Sequence, residues 1–541
     1  MKRLFRILVL FVFLVSCNKT PEGGPATIVP GPGPGVTLYG YVTSDGGEAV
    51  AGAVVSDGYA VTVTDYQGRY ELKSSKEYGS VFVSVPSGYR TLSDGILPKF
   101  YSLCTKGPSD PERFDFSLLK EDQRDYRLLV FGDIHLADRK FTHDIELFRN
   151  FASEVGTTVK DSRVPVYALT LGDMTWDVYW TENHYGPKEY LSEIQDDFEG
   201  IQIFHTMGNH DNDPSRSGDA GGESTYQKLV APNHYSFNIG SVHYIVLDDI
   251  LYGNSEPGTR DFTPRVTDAQ MEWLKGDLQY VDKATPVVVA MHIPLYKRDG
   301  SSNLYGFSDF IHCFQGYEYV QILSAHTHTV YNVDMLSRSI HIYENNTGAV
   351  CGELWMTDVA CKSGMNLCGD GAPGGYRIVD VSGKGISWKY KGIACPEDFQ
   401  FRTYDRNSFC LSPEVWTPHA SKEDKAAFSA SVGDYGKKSS SNQVLINIWD
   451  YDPAWKISVE ENGTPLPVTR LTSVKDPLYL AVYEAYEYEN GYSVSYPGGY
   501  TDHIFSVTAS APDTTLEIRI TDRFGRVYEK TMTRPEDFLV F

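Results

Sequence analysis

Residues 201–211 read "IQIFHTMGNHD". An apolar stretch of strand length runs straight into the amide, imidazole and carboxylate of Asn209, His210 and Asp211. A folded chain seldom crowds so many donor groups at the end of a buried strand. The stretch therefore reads as a strand that delivers a polar cluster to one edge of a sheet. The same texture recurs between about Tyr126 and Asp380, in "YRLLVFGDIH", "PVYALTLGD", "HYIVLDD", "PVVVAMHIP" and "VQILSAHTH". Segments of helical character, "DIELFRNFASEV" and "TDAQMEWLKGDLQYV", lie between them. Continuous apolar runs alternating with helices predict strands buried on both faces, hence an α/β core with its ligands at the strand ends.

The polar clusters, in order, are Asp133-Ile134-His135, Gly172-Asp173, Gly208-Asn209-His210-Asp211, His292 and His326-Thr327-His328. Their chemistry is that of a dinuclear site. Two divalent cations about 3.5–4 Å apart need a bridging carboxylate and outer nitrogen and oxygen donors that leave positions open. Imidazole, carboxylate and amide oxygen suit Mn, Fe, Co, Ni or Zn, and the absence of cysteine from the set argues against a structural zinc. On an extended chain an X-x-X pair points to one side, which would bring Asp133 with His135, and His326 with His328, into one pocket. Each short cluster is weak evidence; the ordered set, every member at a strand end, is specific.

That set resembles the calcineurin-like metallophosphoesterase superfamily, whose blocks run D-x-H, GD, GNH-D/E, H and GH-x-H. The resemblance spans residues 126–380. The whole chain is similar to an exported bacterial type with N-terminal and C-terminal β modules, matched by "DGAPGGYRIVDVSG" at 370–383, "DPLY" at 476–479 and "ITDRFGRVY" at 520–528. It implies that Asp133, His135, Asp173 and His328 hold one divalent metal, and that Asp173, Asn209, His292 and His326 hold the other. Asp173 would bridge, His210 would be the catalytic imidazole, and Asp177 would orient it. Asp211 and the pair Asp248-Asp249 would support the ligands without joining them. The implied reaction is metal-dependent hydrolysis of a phosphomonoester or phosphodiester by a hydroxide held between the metals, with His210 protonating the leaving oxygen. Ala325 stands where glycine is usual. Trp176 stands where purple acid phosphatases carry a tyrosine ligand, which disfavours an iron–tyrosinate centre. Trp176, His184 and Tyr185 are candidates for substrate contact.

Around this core the expected organisation is a leader (1–17), a Pro/Gly linker (18–35), a β-sandwich module (36–120), the phosphoesterase domain (121–394) and a β-rich module (395–541). The fold class is thus multidomain: a central α/β metallophosphoesterase β-sandwich flanked by helices, with an all-β sandwich on each side. The N-terminal module, with short alternating segments between turns, is expected to be antiparallel and to act as a spacer. The start, "MKRLFRILVLFVFLVSC", reads as a secretion signal ending in a lipobox, with Cys17 the lipidated residue of an exported, periplasmic or outer-membrane-associated protein. Cys351, Cys361 and Cys368 are close enough in sequence to include a disulfide. Removal of residues 1–16, which carry Lys2, Arg3 and Arg6 and no acid, takes the net charge from −23 to −26. So acidic a surface disfavours nucleic acid polymers and leaves a small phosphorylated substrate, with the membrane contacted only through lipid. A catalytically inactive surface-binding protein on the same scaffold is the alternative; it predicts a decayed ligand set, and none of the set is missing.

Overall fold

The computed structural model describes residues 31–198, 200–253, 261–337, 339–357 and 365–538. The leader, Cys17, most of the linker and Cys361 lie outside them. Among the described residues no helix is long and apolar enough to cross a membrane.

The six apolar runs are strands, and they divide between two sheets. One sheet has the order Gln202–Thr206, Val166–Leu171, Asp125–Phe131, Gly375–Ser382, Gly385–Gly392. Its first three strands are parallel and the rest antiparallel. The other runs Tyr235–Ile239, Val242–Val246, Val287–Ala290, Val320–Ser324, Ile340–Asn346, Tyr331–Ser337. The sheets face each other; the Tyr126 and Tyr244 hydroxyls, one from each, meet at 2.6 Å. The expected helices form at Asp144–Asp161 and Asp268–Leu278. The first buries Phe148, Phe151, Ala152 and Val155, a stripe at helical spacing that packs on Phe131 and Tyr376 of the sheet.

The N-terminal module is two small sheets built around Leu38–Ser44 and Ser80–Ser84, with a short two-stranded hairpin of Ser93–Asp94 and Leu97–Pro98. It is not wholly antiparallel: Leu38–Ser44 pairs in parallel with Phe116–Lys120, because the chain returns to that sheet from the far end. Nor is it a detached spacer. Its Val55, Phe82 and Phe100 belong to the same continuous apolar core as Phe204 and Phe237 of the central domain.

The C-terminal module has the expected β-sandwich, formed by two four-stranded sheets packed through Val444, Ile446, Phe505, Ile518 and Met532. To these the structure adds a helical layer. "PLYLAVYEAYEYE", whose alternation suggests a strand, is helical from Pro477 to Glu489. Asp476 accepts from the backbone N–H groups of Leu478 (2.9 Å) and Tyr479 (3.0 Å), and Pro477 occupies the first turn, a start signal that overrides the alternation. Cys351 and Cys368 are free thiols, so the expected disulfide does not join them.

Candidate metal centre

Every candidate ligand lies just past a strand of one sheet or the other, and the two sets converge where the sheets meet. Asp133 and His135 follow Asp125–Phe131, Asp173 follows Val166–Leu171, and Asn209 follows Gln202–Thr206. From the facing sheet, His292 follows Val287–Ala290, and His326 and His328 follow Val320–Ser324. Asp133, His135 and His328 bring ligand atoms into one cluster; Asp173, His292 and His326 form a second.

The two carboxylates are arranged alike. Asp173 Oδ1 accepts from the His210 backbone N–H at 2.8 Å, leaving Oδ2 3.5 Å from His135 Nε2 and 3.3 Å from His292 Nε2. It therefore reaches both clusters. Asp133 Oδ2 accepts from the His326 N–H at 3.0 Å, while its buried Oδ1 has no hydrogen-bond partner and lies 3.6 Å from His328 Nε2. The imidazoles are held in matching tautomers. His292 Nδ1–H donates to the Leu171 carbonyl and His328 Nδ1–H to the Gly352 carbonyl, each at 2.7 Å. Their Nε2 atoms then point inward, where His292 Nε2 meets Asn209 Oδ1 at 3.0 Å and His328 Nε2 meets His135 Nε2 at 3.2 Å. Ligand-type nitrogens and oxygens crowded together, with an orphaned carboxylate oxygen, fit divalent cations.

Burial dominates the electrostatics. It pushes His135 well below the ordinary imidazole value and His326 down to about 3, which keeps both neutral donors. For His292 burial is outweighed by Asp173, which raises it to about 10; for Asp173, His292 and His210 outweigh burial and hold the carboxylate well below its usual range.

The X-x-X pairs are not extended, as the spacing had suggested. Asp133, His135, Asp173, His326 and His328 all have left-handed backbones, with φ between 46° and 68°. Asp133 and His135 still share a cluster, whereas His326 and His328 serve different ones. Such conformations cost about 1–3 kcal/mol each and persist only where the surroundings fix them. Buried acids do so. Asp211 accepts from the N–H groups of Asp173 (2.8 Å), Gly208 (2.9 Å) and Met174 (3.1 Å). Asp249 accepts from those of His292 (3.1 Å) and Ile293 (2.9 Å). Asp144 and Glu344, which sequence reasoning missed, do the same for Ala137 and Arg139, and for Leu295 and Tyr296. Asp144 had a signal, an acid opening a helix; Glu344, inside a strand, had none.

The glycines of the ligand loops are explained by contact. A Cβ on Gly172 would lie 2.7 Å from Gly208 Cα and 2.8 Å from His292 Nδ1, so the two ligand loops touch through glycine. Ala325 is accommodated because its Cβ faces Gly132, which has none.

His210 lies beside the clusters, its Nδ1 2.7 Å from Asp177 Oδ1. Burial disfavours its charge, but Asp173 and Asp177 outweigh that and raise its pKa. With Nδ1–H committed to Asp177, Nε2 is the free nitrogen. A cleft of about 380 Å³ opens over the centre, lined by Trp176, His210 and the candidate ligands His135, Asp173, Asn209, His326 and His328. His184 and Tyr185 do not line it: His184 is exposed, and Tyr185 is buried in a neighbouring cleft beside Arg139 and Glu193. The cleft also takes Glu353 and residues 495–499 of the C-terminal module, which the sequence did not mark.

Three family models cover most of the chain: N terminal of calcineurin-like phosphoesterase at 36–121, calcineurin-like phosphoesterase at 126–330, and C terminal of calcineurin-like phosphoesterase at 344–528. The chain belongs to the calcineurin-like phosphoesterase family. It is a phosphoesterase hydrolase of a family that uses divalent metals. Among curated proteins none matches significantly. Similar solved structures include GAP50, the anchor in the inner membrane complex of Plasmodium (17% identity, 50% of this chain and 84% of that chain, TM-score 0.31). TT1561 of Thermus thermophilus is similar at 12% identity, over 49% of this chain and 98% of that chain, TM-score 0.29. Vps29 of Entamoeba histolytica, complexed with zinc, is similar at 11% identity, over 49% and 97%, TM-score 0.21.

Proposed function

We propose that this phosphoesterase hydrolyses a small phosphate ester, monoester or diester, at a centre of two divalent ions, and that it acts outside the cytoplasm on a lipid tether at Cys17. The observation that carries the metal assignment is Asp173 Oδ2, within 3.5 Å of His135 Nε2 and 3.3 Å of His292 Nε2. Asp133, His135 and His328 would hold one ion, and Asn209, His292 and His326 the other, with Asp173 shared. Divalent ions bound there would neutralise phosphoryl oxygens and lower the pKa of water.

The chain's own residues do the rest. Asp133 and Asp173 set the charge of the centre, and the buried acids behind the loops keep its geometry. Asp177 fixes the His210 ring so that Nε2 faces the cleft. Protonated at Nε2, His210 donates to the leaving oxygen, help of a kind worth about 10²–10⁴-fold. An inactive binding scaffold is disfavoured, since all seven donor side chains and His210 converge.

The test is hydrolysis of p-nitrophenyl phosphate and bis-p-nitrophenyl phosphate by Mn²⁺-loaded protein, with Asp173→Ala as control. Release above the control supports the reading, and the preferred ester separates phosphatase from phosphodiesterase. Near-wild-type turnover by Asp173→Ala would sink the shared-ligand assignment. Export is tested separately, by metabolic labelling with a fatty acid: label that survives Cys17→Ala would remove the lipid anchor from the reading.

A further inference from the structure

The cleft above the centre is built across two parts of the chain. Trp176 stands on one side; Glu353 and the stretch Ser495, Tyr496, Pro497 and Gly499 form the other. The stretch is pinned in place. Gly498 N–H donates to Glu484 (2.8 Å), Gly499 N–H to the Gly369 carbonyl (2.9 Å), and the Tyr479 hydroxyl to the Tyr496 carbonyl (2.9 Å). The Tyr496 side chain itself stays 38% exposed at the mouth. A loop so fixed, with an aromatic ring left open beside the reacting centre, is placed for contact with a ligand.

Glu353 gives that wall its chemistry. The Tyr479 hydroxyl faces the Glu353 carboxylate, and orienting His328 is not its role. His328 Nδ1–H donates to Gly352 at 2.7 Å, whereas Glu353 Oε1 is 3.9 Å away. The side chain is 8% exposed, and what exposure it has is to the cleft. Among the described residues no lysine or arginine lines the cleft. The nearby guanidinium, Arg139, lies 4.8 Å over the Trp176 ring and donates to the Leu354 carbonyl. Beyond the ions of the centre itself, a second phosphate would therefore meet a carboxylate and no lysine or arginine. A hydroxyl or ammonium group would meet an acceptor, with aromatic faces alongside.

Resting on the phosphoesterase reading, we propose that Glu353 and the 495–499 stretch form a subsite for the organic group borne by the scissile phosphate. The subsite takes a hydroxyl- or ammonium-bearing group and turns away a further phosphate. Glu353 accepts the hydrogen bond, Tyr496 and Trp176 flank the carbon skeleton, and the selectivity comes from the C-terminal module as much as from the catalytic domain.

The experiment is calorimetric binding of glycerol 1-phosphate, O-phosphoethanolamine, inorganic phosphate and pyrophosphate to the metal-loaded protein, with metal content measured on every sample. The expected result is that at least one organic phosphate binds about tenfold or more tightly than pyrophosphate, the value of a charge-assisted hydrogen bond. An advantage for phosphoethanolamine alone identifies an ammonium ligand, and one for glycerol phosphate alone a polyol. Glu353→Gln, nearly isosteric, narrows the ratio about tenfold by weakening the organic ligands and strengthening pyrophosphate. Tyr496→Ala, on an exposed side chain, narrows it with metal content unchanged. Pyrophosphate as the tightest ligand, equal weakening of all four ligands by Glu353→Gln, or loss of metal in that variant would overturn the subsite. If neither p-nitrophenyl ester is cleaved, the phosphoesterase reading itself fails; cleavage with a flat ligand series removes the subsite alone.

Discussion

The two β-rich modules are attached to the catalytic core with different emphasis. The N-terminal module fuses with it mainly through a shared apolar core, with buried hydrogen bonds such as Ser236 to Ser84 and His234 to Gly58 at its edge. Its Phe82 packs edge-on to Trp273, its Phe100 on Phe204, and none of its residues lines the cleft. The C-terminal module is joined through buried polar groups. Arg377 reaches Asp450 at 2.7 Å, and Arg523 lies over Tyr343 at 4.1 Å while pairing with Asp452 at 2.7 Å. Asp370 accepts from the Val330 N–H, two residues past His328, at 2.7 Å, and lies 3.0 Å from His503 Nε2. Apolar fusion is non-directional and supplies stability. Polar anchoring is directional and fixes where a loop sits, here the loop that carries His326 and His328. The difference predicts that damage to one module should be felt as instability and damage to the other as altered chemistry.

The largest effect lies in neither module and sets the scale. Asp173→Ala is expected to reduce hydrolysis to background and to lower metal content towards zero or one ion per chain, read by elemental analysis. Full metal content with activity lost would show that Asp173 acts other than as a shared ligand. His210→Ala should keep its metal and lose about 10²–10⁴-fold in kcat, more with an alkoxide than with a nitrophenolate leaving group. Equal losses for both leaving groups would remove its role as acid. Asp177→Asn should follow the same leaving-group trend with a smaller loss.

Next in size is the hinge between catalytic loop and C-terminal module. A Cβ on Gly371, whose φ is +82°, would lie 2.0 Å from Asp476 Cγ. Gly371→Ala therefore cannot be accepted without moving Asp476, and Asp476 caps the helical layer and binds Tyr404 and Asn447. Through Asp370 the displacement reaches the His326–His328 loop. The expected outcome is about 10–100-fold weaker metal binding, measured by chelator competition, together with a lower melting temperature. A lower melting temperature with metal affinity intact would mean that the C-terminal module, too, only stabilises.

These contacts explain what the sequence could and could not reveal. The candidate ligands were legible because each cluster follows a strand at short range, so "GNHD" and "AHTH" can be read locally. Their backbone conformation was not. Alternation cannot distinguish an extended X-x-X from two left-handed residues held by distant partners, here the Asp173 carbonyl for the His135 N–H and the Asp133 carboxylate for the His326 N–H. The helix at Pro477 was legible in principle from Asp476-Pro477, but an apolar alternation masked it. Glu353 and Tyr496 could not be found at all: they are 143 positions apart, and only packing brings them to one cleft. The motifs "DGAPGGY" and "DPLY", recognised as patterns, acquire a reason once Gly371 is seen against Asp476.

The smallest effect on chemistry belongs to the N-terminal module, and it is the sharpest test of the contrast. Phe82 is buried in the shared core, so Phe82→Ala should cost about 3–5 kcal/mol of stability, seen as a lower denaturant midpoint. Below its unfolding transition the variant should retain metal affinity and kcat/KM within about twofold, because no partner of Phe82 touches the cleft. Loss of metal affinity in step with stability would show that the shared apolar core transmits strain to the strand ends. The two modules would then differ in composition at their interfaces but not in what they do for the site.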